Sequence, residues 1–151
     1  MRFQNTITIE RSPAEVFAFL ADFERIPTWN YAIVETRKIT GGPVGVGTRY
    51  RQVRQVPRHG EESFQVTEFE PEARLSLEGT FGQLPGRLTY LMEPVTGGTR
   101  LINVVELRPS GVIRLVGGLA TRRVRSAVLA NLRKLKELLE GGSRGRLDAR
   151  E

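Results

Sequence analysis

The chain has 151 residues and a formal net charge of +6, with 39% hydrophobic and 26% charged residues. These values are typical of one globular domain and exclude a fibrous repeat or a largely disordered chain. There is no cysteine and only one histidine, His59, which excludes disulfide frameworks, thiol catalysis, thiolate zinc sites and multi-histidine metal sites. We therefore expect no metal and no cofactor.

The first predicted elements are a strand and two short helices. Residues 3–10 alternate as in a half-buried strand. Residues 12–15 (SPAE) form a capping box with proline at the first helical position, which predicts a helix start. Asp22 is a candidate cap for a second short turn over residues 23–26, which Pro27 is expected to interrupt. Both helices therefore precede the second strand.

Six further strands are predicted from alternation and from the turn residues between them. They span residues 31–40, 47–56, 61–70, 73–81, 86–94 and 99–108. Glycine and proline clusters such as GGP at 41–43 separate them. These short links imply an antiparallel meander, because parallel strands need long crossovers. The only histidine, His59, falls in one of these turns and is interpreted as an ordinary loop residue.

The C-terminal part is predicted to be one long helix. It follows the turn at 109–111 and runs to about Glu140, so that at 1.5 Å per residue it is roughly 45 Å long and must lie across the sheet. We expect residues 1–140 to form a single domain and residues 141–151 to form a flexible tail. No signal-peptide pattern is present, and the most apolar stretch, 112–120, is too short to span a membrane. A cytoplasmic location is therefore expected.

Positive charge is concentrated in this C-terminal region. Residues 108–151 contain 11 Lys or Arg and 4 Asp or Glu, whereas residues 1–107 contain 12 and 13. The helix carries an apolar arc at 3.6-residue spacing, and its basic residues lie outside that arc: Arg122, Arg123, Arg125, Arg133, Lys134 and Lys136. This pattern fits an ordinary solvated face or a surface for anionic membranes. Nucleic acid is not an expected partner, because the helix has no aromatic residue for stacking.

Residues 112–119 are apolar on nearly all sides of the predicted helix and contain Gly117 and Gly118. Each glycine costs about 1 kcal/mol relative to alanine in a helix interior. One interpretation is close packing on the sheet or a kink. The other is a hinge at a cavity mouth, or an apolar patch that meets a membrane or a second subunit.

Several runs of residues mark a known family. They are SPAEVF (12–17), LADFERIPTW (20–29), GVGT (45–48), VTEFEP (66–71) and GTRL (98–101). Together they resemble the START-like (SRPBCC) superfamily near its polyketide cyclase/dehydrase-type branch, over residues 3–139. The resemblance implies an α+β helix-grip fold, in which a curved seven-stranded antiparallel sheet grips the long helix around a deep apolar cavity. Similar proteins include lipid carriers, coenzyme Q-binding proteins and aromatase/cyclases.

The candidate ligand-binding residues lie in the rows that would face such a cavity. They are Trp29, Tyr50, Arg51, Phe64, Glu68, Phe81, Tyr90, Asn103, Val116 and Leu119. Strand alternation leaves one direction open, so that either Tyr50 or Arg51 faces inward. Asn103 is either a buried amide bound by a neighbour or a contact to the ligand. Glu68 either continues the inward row of Phe64 or faces solvent.

The expected function is binding of a hydrophobic small molecule or lipid in this cavity. One alternative is a polyketide cyclase or aromatase, in which Tyr50, Arg51 or Tyr90 donates a hydrogen bond to developing enolate charge. A second alternative is an adaptor that contacts an anionic membrane surface through the basic helix. No residue is assigned a catalytic role by its pattern alone, and the ligand and oligomeric state stay open.

Overall fold

The computed structural model describes residues 1–108 and 117–148, with side chains for residues 1–108 and 120–141. The strands are β1 (Arg2–Ile9), β2 (Ile33–Lys38), β3 (Arg49–Arg54), β4 (Gly60–Glu70), β5 (Arg74–Phe81), β6 (Leu84–Val95) and β7 (Gly98–Leu107). The helices are α1 (Pro13–Ala21), α2 (Ile26–Trp29) and α3 (Gly117–Asp148), and a 3₁₀ turn at Phe23–Arg25 precedes α2.

All seven strands form one antiparallel sheet in the order β1-β7-β6-β5-β4-β3-β2. The strands after β1 follow one another as the predicted meander, and β1 closes the order by pairing with β7, with Asn5 opposite Asn103. The helices cover one face of this curved sheet, which we call the inner face. The α+β helix-grip fold is thereby confirmed.

The capping box at the start of α1 is confirmed. The Ser12 hydroxyl accepts a hydrogen bond from the Glu15 backbone N–H at 3.2 Å. The helix then buries Val16, Phe17 and Leu20 against the sheet. This first helix thus closes one end of the inner face.

Two predictions about the next turn have different outcomes. Asp22 occupies the N-cap position as predicted, but its side chain makes no cap hydrogen bond; its carboxylate lies 3.2 Å from the Arg25 guanidinium. Pro27 does not interrupt the turn but lies in the first turn of α2, where its missing N–H costs no hydrogen bond.

The turn between β5 and β6 is tighter than predicted. It is formed by Gly82 and Gln83, which have φ values of 61° and 70°, as in the two-residue turns that match strand twist. Pro85 therefore lies inside β6, where its carbonyl oxygen accepts the Arg108 N–H at 2.9 Å. The predicted start of this strand at residue 86 was therefore two residues too late.

The long helix α3 continues to Asp148, beyond the predicted end near Glu140. Gly141 weakens a helix but does not remove a hydrogen-bond donor, as proline does, so the helical bonds continue through it. The residues 112–116 of the predicted apolar stretch lie outside the described part of the chain.

Several hydrogen bonds attach α3 to the start of the chain. Asn5 donates to the Arg125 carbonyl oxygen at 3.1 Å, and Lys136 donates to the Thr8 carbonyl oxygen at 2.6 Å. Near the C-terminal end, the Glu140 carboxylate accepts the Glu10 N–H at 3.1 Å. Between these bonds the helix buries its apolar arc, with Leu132 and Leu135 fully covered. The helix is therefore fixed along β1.

Candidate ligand-binding site

The predicted inward rows of the central strands lie on the inner face. The buried members are Leu75, Leu77, Phe81, Tyr90, Met92, Leu101, Asn103, Val105 and Leu107. They place a mainly apolar surface beneath the helices. Burial of such surface is the dominant stabilising contribution to folding, and it is also the surface that a hydrophobic ligand would contact.

Tyr50 lies on the inner face and Arg51 on the outer face. Tyr50 is 2% exposed and packs its ring between Phe23 and Phe64, at centroid distances of 4.8 and 5.2 Å. Arg51 instead forms a 2.7 Å ion pair with Glu61 in solvent. The structure thus answers which of the two faces inward, and Arg51 cannot line an inner cavity.

Two further predicted residues, Phe64 and Phe81, extend this aromatic group. Their ring centroids lie 6.2 Å apart. Gly79 stands directly across from Phe64 in the neighbouring strand, and its lack of a side chain leaves room for the ring. The group therefore forms a firm aromatic wall at the β3–β5 side of the inner face.

Glu68 does not continue the inward row of Phe64. A β-bulge between Val66 and Glu68 shifts the register, which turns Glu68 to the outer face, where it pairs with Ser76. There the Ser76 hydroxyl donates to its carboxylate at 3.0 Å, and Arg74 and Arg87 form ion pairs with it. Burial opposes its ionisation, but these hydrogen bonds and charges hold the pKa of Glu68 below its usual value. Of the two directions left open for Glu68, the outward one is therefore correct, and Glu68 cannot be a ligand-binding residue of the inner face.

Asn103 and Tyr90 lie next to each other in the inner row that crosses β7 and β6. Asn103 is 1% exposed and donates to the Thr89 carbonyl oxygen at 3.2 Å, so a neighbour satisfies part of this buried amide. The Tyr90 hydroxyl makes no hydrogen bond with a described residue. Burial raises the pKa of Tyr90 above its usual value, which keeps the phenol protonated at neutral pH.

Trp29, at the end of α2, is the predicted residue on the helix side of the site. It is 7% exposed and belongs to the apolar core. Its indole Nε1–H is buried and has no hydrogen-bond partner among the described residues, although this group can only donate. The two other predicted residues cannot be placed, because Val116 and the side chain of Leu119 lie outside the described residues.

Sequence reasoning missed a buried polar cluster on the inner face. Glu62 is 9% exposed and accepts hydrogen bonds from Gln52 at 3.0 Å and from Arg54. Thr36 in turn donates to Gln52 at 3.4 Å. The available signal was spacing: Gln52 and Arg54 share the period of Tyr50, and Glu62 shares that of Phe64.

An open cleft of about 310 Å³ lies between the α1 end of the molecule and the β2–β3 loop. It is lined by Asp22, Phe23, Glu24, Lys38, Val44 and Tyr50, together with two alanines of α1. We call it the Tyr50 cleft. Burial, with a further contribution from the Glu24 and Asp22 carboxylates, raises the pKa of Tyr50 to about 12. The sequence offered no motif for this cleft, because its lining comes from separate turns.

The basic residues of α3 divide into two groups. Arg122, Arg123, Arg125 and Arg133 are exposed. Lys136 is held by the Thr8 carbonyl oxygen and by Glu140, and Lys134 lies 3.6 Å from Glu137. The basic surface is therefore smaller than the sequence pattern indicated. In the described part of the chain, no helix is both long and apolar enough to cross a bilayer.

Metal-binding geometry is not found among the described residues: no three histidine or acidic side chains come together closely enough to hold an ion.

The family model for polyketide cyclase/dehydrase and lipid transport matches residues 1–140. The chain belongs to this family. Its membership in the START-like (SRPBCC) superfamily, predicted from the capping and turn motifs, is confirmed. No curated protein matches the chain by sequence.

Solved structures with the same fold come from several organisms. A Thermus thermophilus protein superposes with a TM-score of 0.79 at 18% identity, covering 95% of this chain and 99% of that one. The Zhui aromatase/cyclase from a Streptomyces species gives 0.77 at 11% identity, covering 93% of each chain. The Aha1 dimer from Colwellia psychrerythraea gives 0.65 at 16%, covering 93% and 96%. At identities of 11–18%, these structural matches show only that the chain shares their fold.

Proposed function

We propose that the chain binds a hydrophobic small molecule or lipid between the inner face of the sheet and α3. The observation that carries the proposal is the Tyr90 hydroxyl. It lies on an inner face made largely of apolar side chains, it is desolvated, and it has no hydrogen-bond partner among the described residues. A hydroxyl that makes no hydrogen bond to the protein on such a face is available to an oxygen or nitrogen of a ligand.

The neighbours of Tyr90 describe the kind of ligand. Leu75 lies opposite it on β5, and Met92 follows it in the same row of β6, so the surroundings favour an apolar body. Trp29 supplies a second buried donor without a partner among the described residues. Because an indole N–H can only donate, we expect the ligand to be mostly apolar and to carry at least one acceptor oxygen.

Catalysis of a cyclase or aromatase type is the second candidate, and the same phenol favours it. The Tyr90 phenol is protonated at neutral pH, as in any tyrosine, so it can donate a hydrogen bond to an oxygen that gains negative charge as an enolate forms. A carrier would use this hydrogen bond to hold its ligand, and an enzyme would use it to stabilise a transition state. The two functions differ in whether the bound compound changes.

The first experiment is native mass spectrometry of the purified protein, followed by solvent extraction and identification of the released compound. We expect one apolar molecule per chain, with about fivefold weaker rebinding to Tyr90→Phe, the usual effect of one lost hydrogen bond. Tyr31→Phe is the matched control, because Tyr31 is 53% exposed. The extracted compound, incubated with fresh protein, should be recovered unchanged from a carrier and converted by an enzyme.

A protein that carries no compound and shows no saturable binding of the amphiphilic dye 1-anilinonaphthalene-8-sulfonate would contradict the binding proposal. If Tyr90→Phe and Tyr31→Phe bind the extracted compound with equal affinity, the Tyr90 hydroxyl does not contact the ligand, and the proposal is contradicted. Circular dichroism of both variants checks that a weaker affinity does not reflect loss of the fold.

A further inference from the structure

We infer that the Tyr50 cleft is a second binding site, separate from the inner face beneath α3, that takes the ammonium group of a small organic amine. The cleft opens to solvent between α1 and the β2–β3 loop. Tyr50 is also part of the inner face, but the lining of the cleft includes neither Tyr90 nor Asn103, so the two sites can be tested separately.

The phenol of Tyr50 lies at the base of the cleft. Tyr50 is 2% exposed, and its ring is fixed between Phe23 and Phe64. The side chain lines the cleft, while its hydroxyl makes no hydrogen bond with any described residue. A polar atom held rigidly at the base of a cleft without a protein partner is a ready contact for a ligand atom.

The lining of the cleft around that hydroxyl carries more negative than positive charge. Asp22 and Glu24 both line the cleft. Asp22 already has a partner in Arg25 at 3.2 Å, whereas Glu24 forms no ion pair with a described residue. The only cation in the described lining, Lys38, is bound to the Gly42 carbonyl oxygen. Lys38 keeps its positive charge in this contact, but the lining holds two carboxylates against one ammonium, so a ligand cation would pair with Glu24.

The size of the cleft and its remaining lining indicate what kind of ligand fits. About 310 Å³ is near the lower limit for a small-molecule site, so the ligand is small. Phe23, Val44 and the α1 alanines provide an apolar wall for a short aliphatic chain. A primary ammonium donates three hydrogen bonds, which is enough to reach both the Tyr50 oxygen and the Glu24 carboxylate. A free amine and a lysine side chain share this chemistry.

The test is a titration of the full chain with n-butylammonium chloride at pH 7, followed by NMR shifts of the aromatic ring protons. We expect saturable shifts of the Tyr50 and Phe23 rings, and at least tenfold weaker effects of the neutral 1-butanol and the anionic butyrate. Glu24→Gln should weaken binding about fivefold or more. The matched control is Glu61→Gln, which removes the same charge from the outer face and should leave the affinity unchanged.

Tyr50→Phe should also weaken binding, but Tyr50 is part of the core, so Glu24→Gln at an exposed position keeps the test valid if that variant fails to fold. Absence of saturation, equal binding of butyrate, or equal losses in Glu24→Gln and Glu61→Gln would overturn the inference. Nα-acetyl-lysine methylamide identifies the source: tighter binding than butylammonium supports a lysine side chain as the occupant, and weaker binding supports a free amine.

Discussion

Gly79 and Gly86 are paired directly across β5 and β6, with Phe64 as the next neighbour on β4. A Cβ at Gly79 would lie 2.2 Å from the Ser63 carbonyl oxygen, and a Cβ at Gly86 would lie 2.5 Å from the Glu106 carbonyl oxygen. At Gly79 strand β5 lies too close to β4, and at Gly86 strand β6 lies too close to β7, for any side chain, as is common where a sheet bends sharply. The curvature around the helices therefore depends on two glycines that face each other.

Gly79→Ala should destabilise the protein by about 3 kcal/mol, since the added methyl group meets backbone atoms that cannot move aside easily. The measurement is the urea midpoint of unfolding. Gly60→Ala is the matched control, because a Cβ there has no atom within 4 Å, and its effect should stay below about 0.5 kcal/mol. Equal midpoints of the two variants would contradict the role of this close approach.

Glu61 and Glu62 are neighbours on β4 that face opposite sides of the sheet. Glu62→Gln leaves the guanidinium of Arg54, whose side chain is 16% exposed, without its carboxylate, and should cost about 3 kcal/mol. Glu61→Gln removes an exposed pair and should leave the unfolding midpoint as it is in the wild type. Arg54→Met combined with Glu62→Met should recover much of the loss, because no buried charge then lacks a partner. Similar midpoints for both single variants would show that the inner pair is well solvated.

Glu140 gives the fold an acid-sensitive contact. Its side chain is partly buried, which opposes ionisation, but hydrogen bonds from Lys136 and the Glu10 N–H hold its pKa below the usual value. Because the pKa of Glu140 is lower in the folded state than the unfolded value of about 4.3, the ionised side chain stabilises the folded state at pH values above about 4.3. This stabilisation is lost as the pH falls through the folded-state pKa. Glu140→Gln should therefore unfold more easily than the wild type by about 1 kcal/mol at pH 7.

The difference between the wild type and Glu140→Gln should shrink between pH 6 and pH 3, as measured by urea midpoints. The control is Glu137→Gln, whose side chain is 72% exposed on the same helix and whose midpoint at pH 7 should match the wild type. A difference that stays constant with pH would mean that the Glu140 charge does not hold the helix to β1.

Tyr50 predicts a loss of stability in alkali. Its pKa is raised to about 12 in the folded protein, whereas an unfolded phenol titrates near 10. The folded state therefore keeps the proton longer, so its advantage is present below about pH 10 and declines as pH rises toward 12. Urea midpoints from pH 8 to 11 should fall less steeply in Tyr50→Phe than in Tyr31→Phe. Parallel slopes would show that the Tyr50 phenol is not desolvated.

The exposed arginines of α3 predict weak contact with anionic membranes. The double variant Arg122→Glu with Arg125→Glu should lower cosedimentation with phosphatidylserine vesicles, and added salt should lower wild-type binding in the same way. Because both side chains are exposed, the variant should keep its unfolding midpoint. Absent or salt-insensitive vesicle binding would reject the adaptor function.

The order of elements was predictable because turn residues separate the strands and a capping box marks the start of α1. The site was less predictable. Alternation defines two faces of a strand without saying which is inward, so that Tyr50 and Arg51 could not be told apart. It also fails beyond a β-bulge, and the one before Glu68 has no distinctive residue.

The inner polar cluster was missed for a different reason. Charged residues are seldom buried without a partner, so Arg54 and Glu62 looked like solvent-facing residues. Their pairing depends on the register of β3 with β4, which places Gln52 and Glu62 directly opposite each other. Such registers follow from the whole sheet and are not visible in either strand alone.

The position of β1 has a consequence for synthesis of the chain. Its partner in the sheet is β7, and the helix that covers it is α3, so both contacts of β1 leave the ribosome after all the other described elements. Until then β1 has no partner, and local contacts cannot replace those made across such a long separation. We therefore expect the nascent chain to stay protease-sensitive until α3 has emerged, and then to fold in one late step.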